Sequence, residues 1–281
     1  MIPPEFDYVA PETLQEAIAA RTAGGEDAKF LAGGHSLLPL MKLRLAAPTL
    51  LVDLRRVPGL AGVTRENGHW RIGAMTCHTV LQDDHQLGAI STVAAGIADQ
   101  QVRNRGTIGG SLAHGDPASD LTTAFLAYEG SLTATGPDGP REIAAVDFFS
   151  DYLTTALGED EVITEVRMPR LEGWGYGYEK FTRRAEDWAM VGIVALVKKA
   201  ADGSCEDVRI AMTNMGSTPL RARAAEEALR GSALDAAAIA EASGHAADGT
   251  DPPADRNAST MYKRHLASVL TRRALTTAVG S

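Results

Sequence analysis

The chain has 281 residues, 44% of them hydrophobic, and a formal charge of −9. That length supports a large core in two domains, or in one domain with an appendage, and the acidic balance excludes the basic field that nucleic acid or an anionic membrane surface would require. Cys77 and Cys205 are the only two cysteines, and the seven histidines are scattered without Cys-x-x-Cys or His-x-x-x-His spacing, so no iron–sulfur cluster and no metal site is expected within this chain.

The opening, from Met1 to Tyr8, lacks a positive region followed by an apolar run, and no later apolar stretch is long enough to cross a bilayer, which points to a cytoplasmic protein without membrane insertion. Pro11 to Ala20 predicts a helix, with Pro and acids in its first turn. Ala28 to Leu31 predicts a short strand entering Ala32-Gly33-Gly34-His35-Ser36, and Leu37, Leu38, Leu40, Met41 and Leu45 then recur at helical spacing. Thr49 to Leu54 returns as a strand, which completes a strand–helix–strand crossover. Asn67-Gly68 predicts a hairpin between Val63 and Met75, and Ile90 to Ala98 predicts a helix. Asp99 to Arg105 leads into a second glycine turn, Thr107-Ile108-Gly109-Gly110-Ser111. Ser119-Asp120 caps a helix through Leu126, and Ser131 to Thr135 reads as a strand.

Glycine density rises at Arg170 to Gly175, where the character of the sequence changes and a domain boundary is expected. Beyond it, Tyr176 to Arg183, Ala189 to Ala200 and Cys205 to Met212 predict three strands, and Ala222 to Arg230, Leu234 to Ser243 and Thr260 to Val279 predict helices.

The two glycine turns carry the chemistry. Residues without side chains let backbone N–H groups approach an anion, and two such turns suffice for one diphosphate, so the leading ligand is a dinucleotide such as FAD. Taken alone, Gly33 and Gly34 equally fit a plain strand-to-helix connection with Ser36 as cap. His35 has no base, nucleophile or metal partner beside it, which favours lining a ligand over acid–base work. The Thr107 hydroxyl and the amides through Ser111 suit phosphate, and the Asp120 carboxylate suits ribityl or ribose hydroxyls. Asp116 precedes Pro117 and has less weight, because that dipeptide also nucleates a turn. Lys180 and Trp188 lie beside the proposed boundary, a usual place for a ligand, although an indole is more often a core residue.

With these residues in view, the chain resembles the FAD-binding medium subunits of molybdenum hydroxylases, the xanthine dehydrogenase family, and most closely their aerobic carbon monoxide dehydrogenase branch. The likeness runs nearly end to end, through Ile2-Pro3 and Phe6-Asp7-Tyr8, Leu31 to Leu37, Arg105 to Gly110, Gly115-Asp116-Pro117 with Asp120, Tyr178-Glu179-Lys180, and Asp187-Trp188-Ala189. It implies an α+β architecture: a two-subdomain FAD-binding fold of the vanillyl-alcohol-oxidase/PCMH type over residues 1–172, divided near residue 55, then a C-terminal domain of three-stranded antiparallel sheet plus helices over 173–281.

The resemblance also implies a division of labour. A large molybdenum-cofactor subunit oxidises the substrate, carbon monoxide with water in the nearest branch, and a small subunit with two [2Fe–2S] clusters carries the electrons. FAD in this chain passes them to quinone or another acceptor, in a dimer of heterotrimers that meets the inner face of the membrane only peripherally. No residue of this chain is then catalytic. Ala32, Gly33, Gly34, His35 and Ser36 with Thr107, Ile108, Gly109, Gly110 and Ser111 would hold the diphosphate, Asp120 would take the ribityl or ribose side with Asp116 as a further cofactor contact of less weight, Ile163 and Lys180 would lie in the flavin neighbourhood, and Trp188 stands where relatives place an aromatic near the flavin. Lys180 would act there as a cation favouring the reduced, anionic ring. Ser111 departs from the Asn common in relatives, and the missing cysteines disfavour the 4-hydroxybenzoyl-CoA reductases, whose medium subunit carries an iron–sulfur insertion. Complexes oxidising xanthine, nicotine, caffeine or aldehydes are alternatives, since the large subunit selects the substrate. The rivals outside this role are a stand-alone FAD oxidoreductase, such as a small oxidase or the UDP-acetylglucosamine enolpyruvate reductase, and a nucleotide-binding scaffold without redox turnover.

Overall fold

A computed structural model describes residues 2–280; Met1 and Ser281, the outermost residues of the expected domain limits, lie outside the described residues. The first unit is the predicted crossover, extended by an N-terminal strand: β1 (Asp7–Val9), α1 (Leu14–Ala23), β2 (Ala28–Leu31), α2 (Leu37–Lys42) and β3 (Leu50–Asp53). Its three strands are parallel in the order β1-β3-β2. A reciprocal cap starts α1, where the Thr13 hydroxyl accepts from the Glu16 N–H and the Glu16 carboxylate accepts from the Thr13 N–H, both at 3.2 Å. Helix α2 stops at Lys42, short of the predicted Leu45, because Arg44 turns left-handed at φ 59°.

The second unit holds β4 (Val63–Glu66), β5 (His69–Gly73), α3 (His78–Asp83), α4 (Ala89–Ala95), α5 (Gln100–Arg103), α6 (Ile108–His114), α7 (Asp120–Ala127), β6 (Ser131–Gly136), β7 (Gly139–Ala144), α8 (Ala145–Phe148), β8 (Phe149–Asp151), β9 (Thr154–Thr155) and β10 (Val162–Pro169). Five of these strands form an antiparallel sheet in the order β4-β5-β10-β6-β7, with the predicted hairpin at Asn67-Gly68, where Glu66 pairs with His69. Its central strand, β10, is the last of the five in sequence and joins two hairpins that are distant in sequence.

The third unit contains β11 (Trp174–Phe181), β12 (Val191–Lys199), β13 (Cys205–Thr213), β14 (Leu220–Arg221), α9 (Arg223–Leu229), α10 (Ala236–Gly244) and α11 (Thr260–Gly280). The three long antiparallel strands are those expected, and two-residue β14 adds to the β13 edge. Both faces of this sheet are covered. Val194, Leu196 and Ala211 join the core of the second unit with Ile90, Phe125 and Val166, while Ile193, Val197 and Ile210 pack with Leu229, Leu270 and Leu275 of the C-terminal helices. Burial on two sides explains why β12 reads as a continuous apolar run. Helix α11 lies so close on β11 that a β-carbon at Gly177 would fall 2.0 Å from the Ala274 carbonyl oxygen. Among the described residues no helix is long and apolar enough to cross a membrane.

Candidate functional site

Where the three units meet, a cavity of about 530 Å³ is lined by Ala32 to Leu37 of the first, by Thr107, Gly109, Gly110, Ser111, Asp120 and Ile163 of the second, and by Lys180 and Trp188 of the third. This volume lies within the range of small-molecule and cofactor pockets. The two glycine turns are neighbours in space. A β-carbon on Gly33 would lie 2.8 Å from the Gly106 Cα, and one on Gly110 would reach within 3.4 Å of the Ala32 Cβ, so any side chain there closes the space between the turns.

The turns contribute unequal donor sets. In the first, Gly34 turns left-handed at φ 79°, and the N–H groups of Gly33, Gly34, His35 and Ser36 have no protein acceptor among the described residues. Four clustered amides without an acceptor match the oxygens of an anion. In the second, the predicted row of available amides is corrected: Ile108 donates to Thr76 O, Gly109 to Ala74 O, Gly110 to Thr107 Oγ1 and Ser111 to Thr107 O. Thr107 is the N-cap of α6, and Gly109 and Gly110 are already helical. Gly109 is required for packing, since a β-carbon there would meet the Ala74 Cβ at 2.5 Å. What the second turn offers a ligand is the Thr107 N–H, which has no protein acceptor among the described residues, the hydroxyls of Thr107 and Ser111, and a surface without side chains.

Two candidate residues do not reach the cavity. Ile108 is fully buried in the core of the second unit, because the first turn of α6 points it toward the sheet. Asp116 folds back on its own backbone, its Oδ1 accepting the Ala118 N–H at 2.8 Å, and serves the turn before α7. His35 lines the cavity, and partial burial followed by the charge of Arg105 lowers its pKa. Trp188 stands on the rim with 55% of its surface exposed, rather than in a core.

Asp120 is 4% exposed and lies at the start of α7. Its Oδ1 accepts from the Tyr178 hydroxyl at 2.8 Å and its Oδ2 from Lys180 Nζ at 2.7 Å, and Lys180 donates as well to the Gly96 carbonyl at 3.0 Å. Burial pushes the Asp120 carboxyl up, while the ammonium and the phenol pull it down; burial and the neighbouring carboxylate push the Tyr178 phenol well up. Lys180 is therefore a paired cation, bonded to Asp120 and to the Gly96 carbonyl.

His78 went unread in the sequence. It lines the cavity at 3% exposure, with Nε2 at 3.4 Å from the Ser111 hydroxyl and Nδ1 without a hydrogen-bond partner among the described residues. Burial, then His35 and Arg103, lowers its pKa to about 4, so the ring is neutral. A single histidine after a strand carries no signal of such a position. Tyr178 did carry one, because residues two apart on a strand share a face and Lys180 was already a candidate.

A cavity of this size, walled by two glycine turns with acceptor-free amides on one of them, defines a dinucleotide-cofactor protein. Residues 4–171 match the FAD binding domain in molybdopterin dehydrogenase, and residues 176–278 match the CO dehydrogenase flavoprotein C-terminal domain. The chain belongs to this family of FAD-binding flavoprotein subunits of oxidoreductases, and its cofactor is FAD. It is 40% identical to the carbon monoxide dehydrogenase medium chain of Hydrogenophaga pseudoflava, over 99% of this chain and 98% of the relative. It is 38% identical to subunit alpha of the 6-hydroxypseudooxynicotine dehydrogenase complex of Paenarthrobacter nicotinovorans, over 99% and 96%. In structure it superposes on carbon monoxide dehydrogenase from H. pseudoflava with a TM-score of 0.96 at 42% identity, covering 100% of this chain and 99% of the other. Both sequence relatives are named as one chain of a larger enzyme.

Proposed function

We propose that this chain is the electron-transfer subunit of a cytoplasmic molybdenum hydroxylase of the aerobic carbon monoxide dehydrogenase type. It divides at residues 172/173 into FAD-binding and C-terminal domains, and works with a large molybdenum-cofactor subunit and a small subunit carrying two [2Fe–2S] clusters, in a dimer of heterotrimers without membrane insertion. The observation that carries this reading is the meeting of the two glycine turns in one cavity, on a chain that matches such a subunit end to end.

The donor set fits the cofactor. The amides of Gly33 to Ser36 hold diphosphate oxygens, and the Thr107 and Ser111 hydroxyls add donors from the opposite turn. Asp120 retains lone pairs for a ribityl or ribose hydroxyl beyond its two bonds. Ile163 gives the cavity an apolar wall that keeps water out, and Trp188 covers the rim. Bound FAD supplies the redox chemistry, collecting electrons from the iron–sulfur subunit and releasing them to quinone or another acceptor. The protein's part is to bind, orient and set the charge around it.

Visible spectra of the chain purified with its partners, recorded anaerobically before and after carbon monoxide, test this reading. Bleaching of flavin and iron–sulfur bands is expected. The near-equal identity to the 6-hydroxypseudooxynicotine enzyme supports a second reading, the same role beside a large subunit for a nicotine-type substrate, and the 34% identity to a glyceraldehyde dehydrogenase medium chain extends it to an aldehyde. Bands that bleach with such a substrate and not with carbon monoxide would favour it, and a flavin-only protein reduced by its own substrate would favour a stand-alone oxidoreductase.

A further inference from the structure

Lys180 and Asp120 come from different units, β11 and α7, and meet in the wall of the cavity. Strand geometry makes the meeting possible, since Tyr178 and Lys180 are two residues apart and fall on one face, both over Asp120. An ammonium has three donors. Lys180 gives one to Asp120 and one to the Gly96 carbonyl, which leaves one for the cavity that this side chain borders.

We infer that Asp120 is a positioning residue for Lys180: it holds the ammonium at the cavity wall and balances its charge, so that a bound flavin meets a paired cation rather than a free one. The inference rests on the reading that FAD occupies this cavity. With the lysine side chain 10% exposed and the aspartate 4% exposed, solvent screens the pair little, and removal of either charge leaves the other strongly felt nearby. Neutralising Asp120 therefore adds one uncompensated positive charge to the wall, which favours the form of the ligand that has gained electrons. Tyr178 gives Asp120 a hydrogen bond but no charge, so its loss leaves that balance intact.

The test is the flavin reduction potential of the complex purified with its partner subunits, titrated spectroelectrochemically at fixed pH. For Asp120→Asn the two-electron equilibrium is expected to move at least tenfold toward the reduced side, about 30 mV more positive. The double variant Asp120→Asn with Lys180→Met, which removes both charges, is expected to recover most of the shift of the single variant, and Tyr178→Phe, which removes no charge, to stay within about twofold of wild type. An unshifted Asp120→Asn that retains flavin overturns the inference, and so does a double variant shifted as far as the single one. If Asp120→Asn does not accumulate as folded protein, accumulation of the double variant as a flavoprotein supports the inference, and its failure too overturns it. A wild-type complex without a flavin spectrum would instead remove the FAD reading itself.

Discussion

A β-carbon placed on Gly33 would stand 2.2 Å from the carbonyl oxygen of Arg105, a backbone atom with no rotamer to relieve the clash. The two turns thus approach as closely as backbones allow. Gly33→Ala forces them apart, and a cost of about 1–3 kcal/mol is expected from overpacking. Because the displaced segments are the walls of the cavity, loss of bound flavin is expected to exceed loss of fold. Comparing the flavin-to-protein absorbance ratio with the circular dichroism of the purified variant separates the two.

Thr107 accepts the Gly110 N–H at 3.1 Å as the N-cap of α6 while its own hydroxyl proton stays available to a ligand. Thr107→Ala is expected to cost about 1 kcal/mol of stability from the lost cap. Thr107→Ser keeps the hydroxyl and should retain flavin near the wild-type level. Equilibrium dialysis of flavin from the two variants checks the contrast.

His78 predicts an acid sensitivity. Its folded pKa of about 4 lies below the ordinary histidine value of 6.5, so between these limits the unfolded chain binds a proton that the native chain refuses. Its contribution is complete above pH 6.5 and is lost as pH falls toward 4, by roughly 3 kcal/mol over the whole window. Urea midpoints measured at pH 7 and pH 5 should differ less in His78→Gln than in wild type.

Glu226 is 1% exposed and takes the Arg221 guanidinium at 2.5 Å and the Ile210 N–H at 2.8 Å. Glu226→Ala strands a buried amide and weakens the hold on a buried arginine, at a cost on the order of 3 kcal/mol. Glu226→Gln keeps an acceptor for Ile210 and should cost less. Thermal unfolding of the two variants ranks them.

Local signals in the sequence were sufficient for the hairpin at Asn67-Gly68, the crossover around β2 and the long strands after residue 174, because each is written in neighbouring residues. Strand β10 escaped notice. Its pairing partners lie far away along the chain, and its register shifts between Ile163 and Glu165, which breaks the period-two pattern that announces a strand. Within the site, the glycine turns were legible as motifs, but which of their amides remain available was not. That depends on Ala74 and Thr76, contributed by the end of another hairpin. The pairing of Lys180 with Asp120 was hidden for the same reason, since both were legible as polar residues and their contact is set by how α7 meets β11.

The sheet of β11 to β13 gives one face to the second unit and the other to the C-terminal helices. Neither layer can melt without stripping cover from strands that the other needs. Two sequence families joined at residues 171–176 would therefore unfold as one cooperative body, with a single calorimetric peak whose van't Hoff and calorimetric enthalpies agree.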